Sequence, residues 1–182
     1  MPTLHVCPLS RLHDTVTATR ASHVVSLMGV GAEIERPATI AAERHLFIGV
    51  SDIVEPRDGY VLPAEEHIET LLAFVRAWGR EGPLLFHCWA GISRSTAAAY
   101  IAACALAPDR DEAALALALR AASPSATPNA RLIALADDIL GRQGRMADAI
   151  RAIGRGADAM EGTPFMLQLN GNEPIPPGPA AR

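Results

Sequence analysis

The stretch STAAAYIAACALA, residues 95–107, is apolar around nearly every side of a helical turn. Such a helix has no face to offer water and must be surrounded by protein. Just before it stands PLLFH (83–87), a short apolar run that follows Gly82 and opens on Pro83. A run of that length between turn signals reads as a central strand. A buried strand feeding a buried helix needs neighbours on both sides, and 182 residues suffice for one domain that supplies them.

LHVC (4–7), HVVSLMG (23–29) and HLFIGV (45–50) read as further strands, with SRLHDTVTAT (10–19) a helix between the first two. AEEHIETLLAFVRAW (64–78) has Ile68, Leu71, Leu72, Val75 and Trp78 on one helical face, opened by Pro63 and early glutamates. Helices are also expected over 110–122, 128–142 and 145–153. The thirteen residues SDIVEPRDGYVLP (51–63) form a loop, and loops of that length are often functional. Strands alternate with helices at first and helices dominate later. The expected architecture is α/β, a central mixed sheet of four to five short strands flanked by helices. The domain is expected over residues 1–160. Residues 161–182, rich in Pro, Gly and Asn, form an irregular extension in which only FMLQL (165–169) has the pattern to dock back.

All sixteen basic residues are arginines. Without lysine there is no Walker-type phosphate lysine, Schiff base or kinase ATP lysine, so any phosphate must be held by arginine and backbone amides. A net charge of −4 offers no basic surface for nucleic acid. Cys7, Cys88 and Cys104 are odd in number and have no framework spacing, which suits reduced thiols in a cytoplasm. The N-terminus does not read as a signal peptide, and no apolar run is long enough for a membrane span.

The seven residues joining strand and buried helix are CWAGISR (88–94). A loop entering a helix N-terminus gathers free N–H groups and the positive end of the helix dipole, which makes an anion site. Ala90, Gly91 and Ser93 are small enough to let the backbone curl into a nest. An anion cradle favours the thiolate of Cys88, a candidate nucleophile. Arg94 can present its planar fork to two oxygens of a phosphate. Ser95 can hydrogen-bond the sulfur, and His87 can hold the loop's carbonyls.

HCWAGISRS resembles the signature of the cysteine-dependent protein-tyrosine phosphatase superfamily: His-Cys, five residues, Arg, then Ser or Thr, with glycine third among the five. The order of strand, acidic loop, helix, strand, signature and helix is similar to that of the small, bacterial-type, dual-specificity-like members, over roughly residues 1–145. The resemblance implies catalysis by Cys88, Arg94 and Ser95, with phosphate held by residues 89–94, namely Trp89, Ala90, Gly91, Ile92, Ser93 and Arg94. It implies a phosphocysteine intermediate, neither metal nor other cofactor, and a phosphoprotein or phosphopeptide as substrate. It also implies a general acid on a loop before the cysteine. Asp52 and Asp58 stand 36 and 30 residues upstream of Cys88. Asp52 is preferred, since it directly follows a strand. The competing expectation is a phosphate-recognising module with little turnover.

Other polar residues have plainer readings. Cys7 and Cys104 are buried hydrophobes, and Glu65 and Glu66 suit a first helical turn. Thr127, Pro128 and Asn129 read as N-cap, N1 and N2 of a helix, and Asp137 and Asp138 as surface or buttressing positions.

Overall fold

The computed structural model describes residues 3–169. Its strands are β1 (Thr3–Pro8), β2 (His23–Met28), β3 (His45–Gly49), β4 (Leu84–Cys88) and β5 (Phe165–Gln168). Its helices are α1 (Leu12–Thr19), α2 (Glu65–Ala77), α3 (Arg94–Leu106), α4 (Glu112–Ala122), α5 (Ala130–Ile139) and α6 (Arg145–Ile153). The sheet runs β3-β2-β4-β1-β5. The first four strands are parallel, and β5 is antiparallel to β1. The five-stranded mixed sheet matches the expected architecture.

The continuous apolar run places β4 in the middle, where all five of its residues are buried. Behind it lies α3, buried from Arg94 through Cys104, as a helix without a polar face must be. The larger core joins this face of the sheet to α2, α3, α4, α5 and α6. On the opposite face, Leu12 and Val16 of α1 pack with Cys7, Val24, Ile40 and Leu85. Among the described residues no helix is long and apolar enough to cross a membrane.

One expectation changes, and another is refined. Helix α5 starts at Ala130, and its N-cap is Asn129, whose Oδ1 accepts from the N–H groups of Arg131 and Leu132 at 3.1 Å each. Thr127 and Pro128 therefore precede the helix, because asparagine outcompetes threonine as a cap once the chain can turn two residues later. Asp137 is buried and caps α6, accepting from Gly144 N–H at 2.6 Å and Met146 N–H at 2.7 Å. Asp138 is exposed.

Beyond residue 160 the chain returns to the sheet. Leu4 pairs with Leu167 and Val6 with Phe165, and Leu167 and Leu169 are buried. The sheet thus takes in part of the segment that composition sets apart, while residues 170–182 lie outside the described residues. The 51–63 loop is tied at its neck: Ser51 N–H donates to Val61 O at 2.9 Å, and Val61 N–H returns a bond to Ser51 Oγ at 3.1 Å.

Candidate active site

β4 ends at Cys88 and α3 begins at Arg94, so residues 89–93 curl over the carboxyl end of the sheet. Open parallel sheets commonly bind ligands there. Gly91 makes the curl possible. Its φ is +68°, and a Cβ would stand 2.6 Å from Pro8 N and 2.8 Å from the Cys7 carbonyl carbon. Only glycine lets the loop press so closely on the end of β1.

The loop's carbonyls are held by its surroundings. Trp89 O accepts from Leu9 N–H at 3.1 Å, Ala90 O from Gly162 N–H at 2.8 Å and Ile92 O from Thr127 N–H at 2.9 Å. Ser93 O accepts from Ala97 N–H at 3.0 Å inside the helix. In a planar trans peptide the C=O and the following N–H point in opposite directions. Anchoring these four carbonyls therefore turns the amides of Ala90, Gly91, Ser93 and Arg94 toward the hollow of the loop, where the α3 dipole adds positive potential.

Cys88 lies on the floor of this hollow, 2% exposed, with Sγ 3.1 Å from Ser95 Oγ. Burial pushes the thiols of Cys7 and Cys104 up to about 12, as suits inert core residues. Arg94 is 9% exposed, and its Nη1 donates to Val50 O at 2.9 Å. Its Nε finds no hydrogen-bond partner, and no carboxylate pairs with it, among the described residues. A buried guanidinium without a counter-charge leaves an electrostatic deficit that an anion would fill.

Asp52 reaches the loop. Its Oδ1 accepts from Ser93 Oγ at 2.7 Å and from Asn129 Nδ2 at 2.9 Å. The same Asn129 amide reaches Ile53 O at 3.3 Å, so the residue that caps α5 also fixes the start of the acidic loop. Asp58 is exposed in a turn beside Gly59, away from these contacts. A cleft of about 690 Å³ opens beside Ser93, between Asp52–Arg57 and Thr127–Ala130.

His87, expected to hold loop carbonyls, makes its shortest bond across the sheet. Its Nε2 shares a 2.5 Å hydrogen bond with Ser26 Oγ, and Ser26 Oγ lies 2.7 Å from His45 Nε2. Its Nδ1 has no partner among the described residues. Burial pulls the imidazole down to about 4; the neighbouring Cys88 backbone opposes the fall, and the charges of His45 and Arg94 add to it. The side chain is a neutral ring tied across the sheet, because β2 presents Ser26 directly opposite it.

The structure thus brings together Cys88, Arg94, Ser95, Ser93 and Asp52, while Trp89 stands at the rim, 66% exposed. Reading the sequence missed Asn129, Ser26 and the Val50 carbonyl as parts of the site. A Pro-Asn pair before an apolar helix signals a cap, and a capping asparagine keeps a spare amide; that was the available clue. Among the described residues no three His, Cys, Asp or Glu side chains gather as a metal-ligand set.

No protein-family model and no curated protein matches the sequence. Solved structures do match. DUSP15 superposes with a TM-score of 0.62 at 19% identity, over 84% of this chain and 92% of that one. Human DUSP28 gives 0.58 at 19%, over 77% and 89%, and the PTP-2 phosphatase of Cydia pomonella gives 0.58 at 20%, over 74% and 84%. At these identities the likeness is one of fold. This chain has the fold of the dual-specificity members of the cysteine-dependent protein-tyrosine phosphatase superfamily.

Proposed function

We propose that the protein is a metal-independent phosphomonoester hydrolase, a protein-tyrosine phosphatase acting through a phosphocysteine on Cys88. One observation carries the reading: a buried cysteine at the floor of an amide-lined loop, closed by a buried arginine that has no counter-charge among the described residues.

In the first step the Cys88 thiolate attacks phosphorus and the bond to the leaving oxygen breaks. Asp52 gives that oxygen a proton. Both donors to Asp52 bind Oδ1, which leaves Oδ2 as the position for the transferable proton. In the second step water attacks the phosphocysteine, Asp52 takes its proton, and the Ser95 hydroxyl assists the departing sulfur. The loop amides and Arg94 stabilise the equatorial oxygens in both steps.

The alternative is a phosphate-binding module with little turnover. The anchored carboxyl of Asp52, beside the loop and not swung away from it, favours turnover. The test is hydrolysis of an aryl phosphate in excess EDTA. Activity that persists under chelation, stops with vanadate and vanishes in Cys88→Ser supports the proposal. Oxyanion binding without hydrolysis supports the module, and activity lost with EDTA overturns the mechanism.

A further inference from the structure

We propose that the C-terminal segment Glu161–Gln168 is a positioning element of the phosphate cradle, and that Gly162 aims the peptide between Ala90 and Gly91. The functional part of this inference rests on the phosphatase reading above.

Gly162 is buried, and its N–H donates to Ala90 O at 2.8 Å. That bond fixes one face of the Ala90–Gly91 peptide, so the Gly91 N–H must look the other way, into the hollow. Side-chain size at Gly162 is restricted by the same contact: a Cβ would stand 2.8 Å from Gly91 O and 3.4 Å from Gly91 C. The constraint is one of approach between two backbones.

The segment is held on both sides of this contact. Ser10 Oγ donates to Glu161 Oε2 at 2.8 Å. Three residues beyond Gly162, β5 begins its pairing with β1, and Arg110 Nη1 ties the far end by donating to Gln168 O at 3.0 Å. β1 is also the strand whose end Gly91 touches from the other side. The loop is therefore clamped between the end of β1 and a strap that pairs with β1. A segment some seventy residues downstream thus decides whether the cradle's amides converge. It does so without touching substrate.

The experiment uses the full chain with inorganic tungstate as probe. Gly162→Ala is compared with wild type and with Val75→Ala, a core variant of α2 expected to lose thermal stability. Thermal midpoint, tungstate affinity, amide hydrogen exchange over residues 89–94, and kcat and KM on an aryl phosphate are measured. Gly162→Ala is expected to weaken tungstate about tenfold, the scale of one lost hydrogen bond to an anion site, to raise KM, and to speed exchange in the loop. Val75→Ala should change only the thermal midpoint. Ser10→Ala, which loosens the strap without a steric clash, should move the same quantities in the same direction by less, and it serves if Gly162→Ala does not fold. Wild-type tungstate affinity and loop exchange in both strap variants would overturn the proposal, as would equal losses in Val75→Ala. If wild type itself neither binds tungstate nor turns over substrate, the phosphatase reading fails, and loop exchange in the variants still decides the role of the strap.

Discussion

Asn129 Nδ2 donates to Asp52 Oδ1 at 2.9 Å, although the two residues stand 77 positions apart. One side chain therefore serves two ends. Its oxygen caps α5 and its amide steadies the candidate acid. Asn129→Asp keeps the capping oxygen but sets a second carboxylate against Asp52, whereas Asn129→Ala loses both contacts. Both variants are expected to lower kcat on an aryl phosphate by about ten- to a hundredfold through misplacement of the acid. Only Asn129→Ala should also lower the melting temperature, by about 2–4 °C for the roughly 1 kcal/mol of a lost cap. An Asn129→Asp enzyme with wild-type kcat would reduce the residue to a cap.

Asp52 and Asp58 separate by the same logic. Asp52 is bonded to the loop, and Asp58 sits exposed in the turn beyond it. Asp52→Asn is expected to lower kcat by about 10²–10⁴-fold, the usual weight of general acid catalysis, and to erase the basic limb of the pH profile. Asp58→Asn should do neither. Steady-state kinetics from pH 5 to 9 on both variants decide between them, and reversed behaviour would move the acid to Asp58.

Substrate choice follows from the rim. Apart from Gly91, the loop between Cys88 and Arg94 carries Trp89, Ala90, Ile92 and Ser93, with no cation among them. Nearby, Arg57 lies 4.6 Å over the Tyr60 ring. A molecule with several phosphates would bring charges that Arg94 alone cannot balance. An aromatic and aliphatic rim suits the ring of phosphotyrosine. Higher kcat/KM is expected for phosphotyrosine peptides than for phosphoserine peptides, phosphoinositides or inositol hexakisphosphate. Measuring all four on one preparation checks this, and preference for either inositol substrate would reverse it.

His87 gives the fold a signature in acid. Its folded value is about 4, against 6.5 for the free ring. Above pH 6.5 both folded and unfolded states hold it neutral, and it contributes nothing to the pH dependence. Between pH 6.5 and about 4 the unfolded chain binds the proton and the folded chain does not, so stability falls as pH falls through that window. Acting alone, the ring accounts for roughly 3 kcal/mol of this loss. Urea unfolding at pH 7 and pH 4.5 should show the decline, and His87→Gln should flatten it. An unchanged slope in the variant would assign the acid sensitivity to other groups.

The elements that hydrophobic pattern determines were legible in advance. The all-apolar 95–107 run could only be α3, LLFH could only be central, and FMLQL docks as β5. The strand before Asp52 pointed to its neighbourhood, but the Ser93 and Asn129 bonds that hold it lay out of view. Contacts between distant side chains were not legible. Nothing local tells that Ser26 meets His87, that Asn129 has an amide left for Asp52, or that Gly162 crosses the loop. Each depends on which strands become neighbours, and spacing along the chain does not encode that.

The tied neck at Ser51 and Val61 separates the acidic loop into an anchored root and a free span. Asp52 and Ile53 belong to the root, held by Ser93 and Asn129. Residues 54–60 form the span, bordering the cleft from Val54 to Arg57. Lengthening such a span costs little, about 0.6 kcal/mol of closure entropy for each doubling. The span is thus a cassette: new recognition sequences can be grafted there, by evolution or in the laboratory, while Asp52, the proposed proton donor, stays in register with the loop beside it.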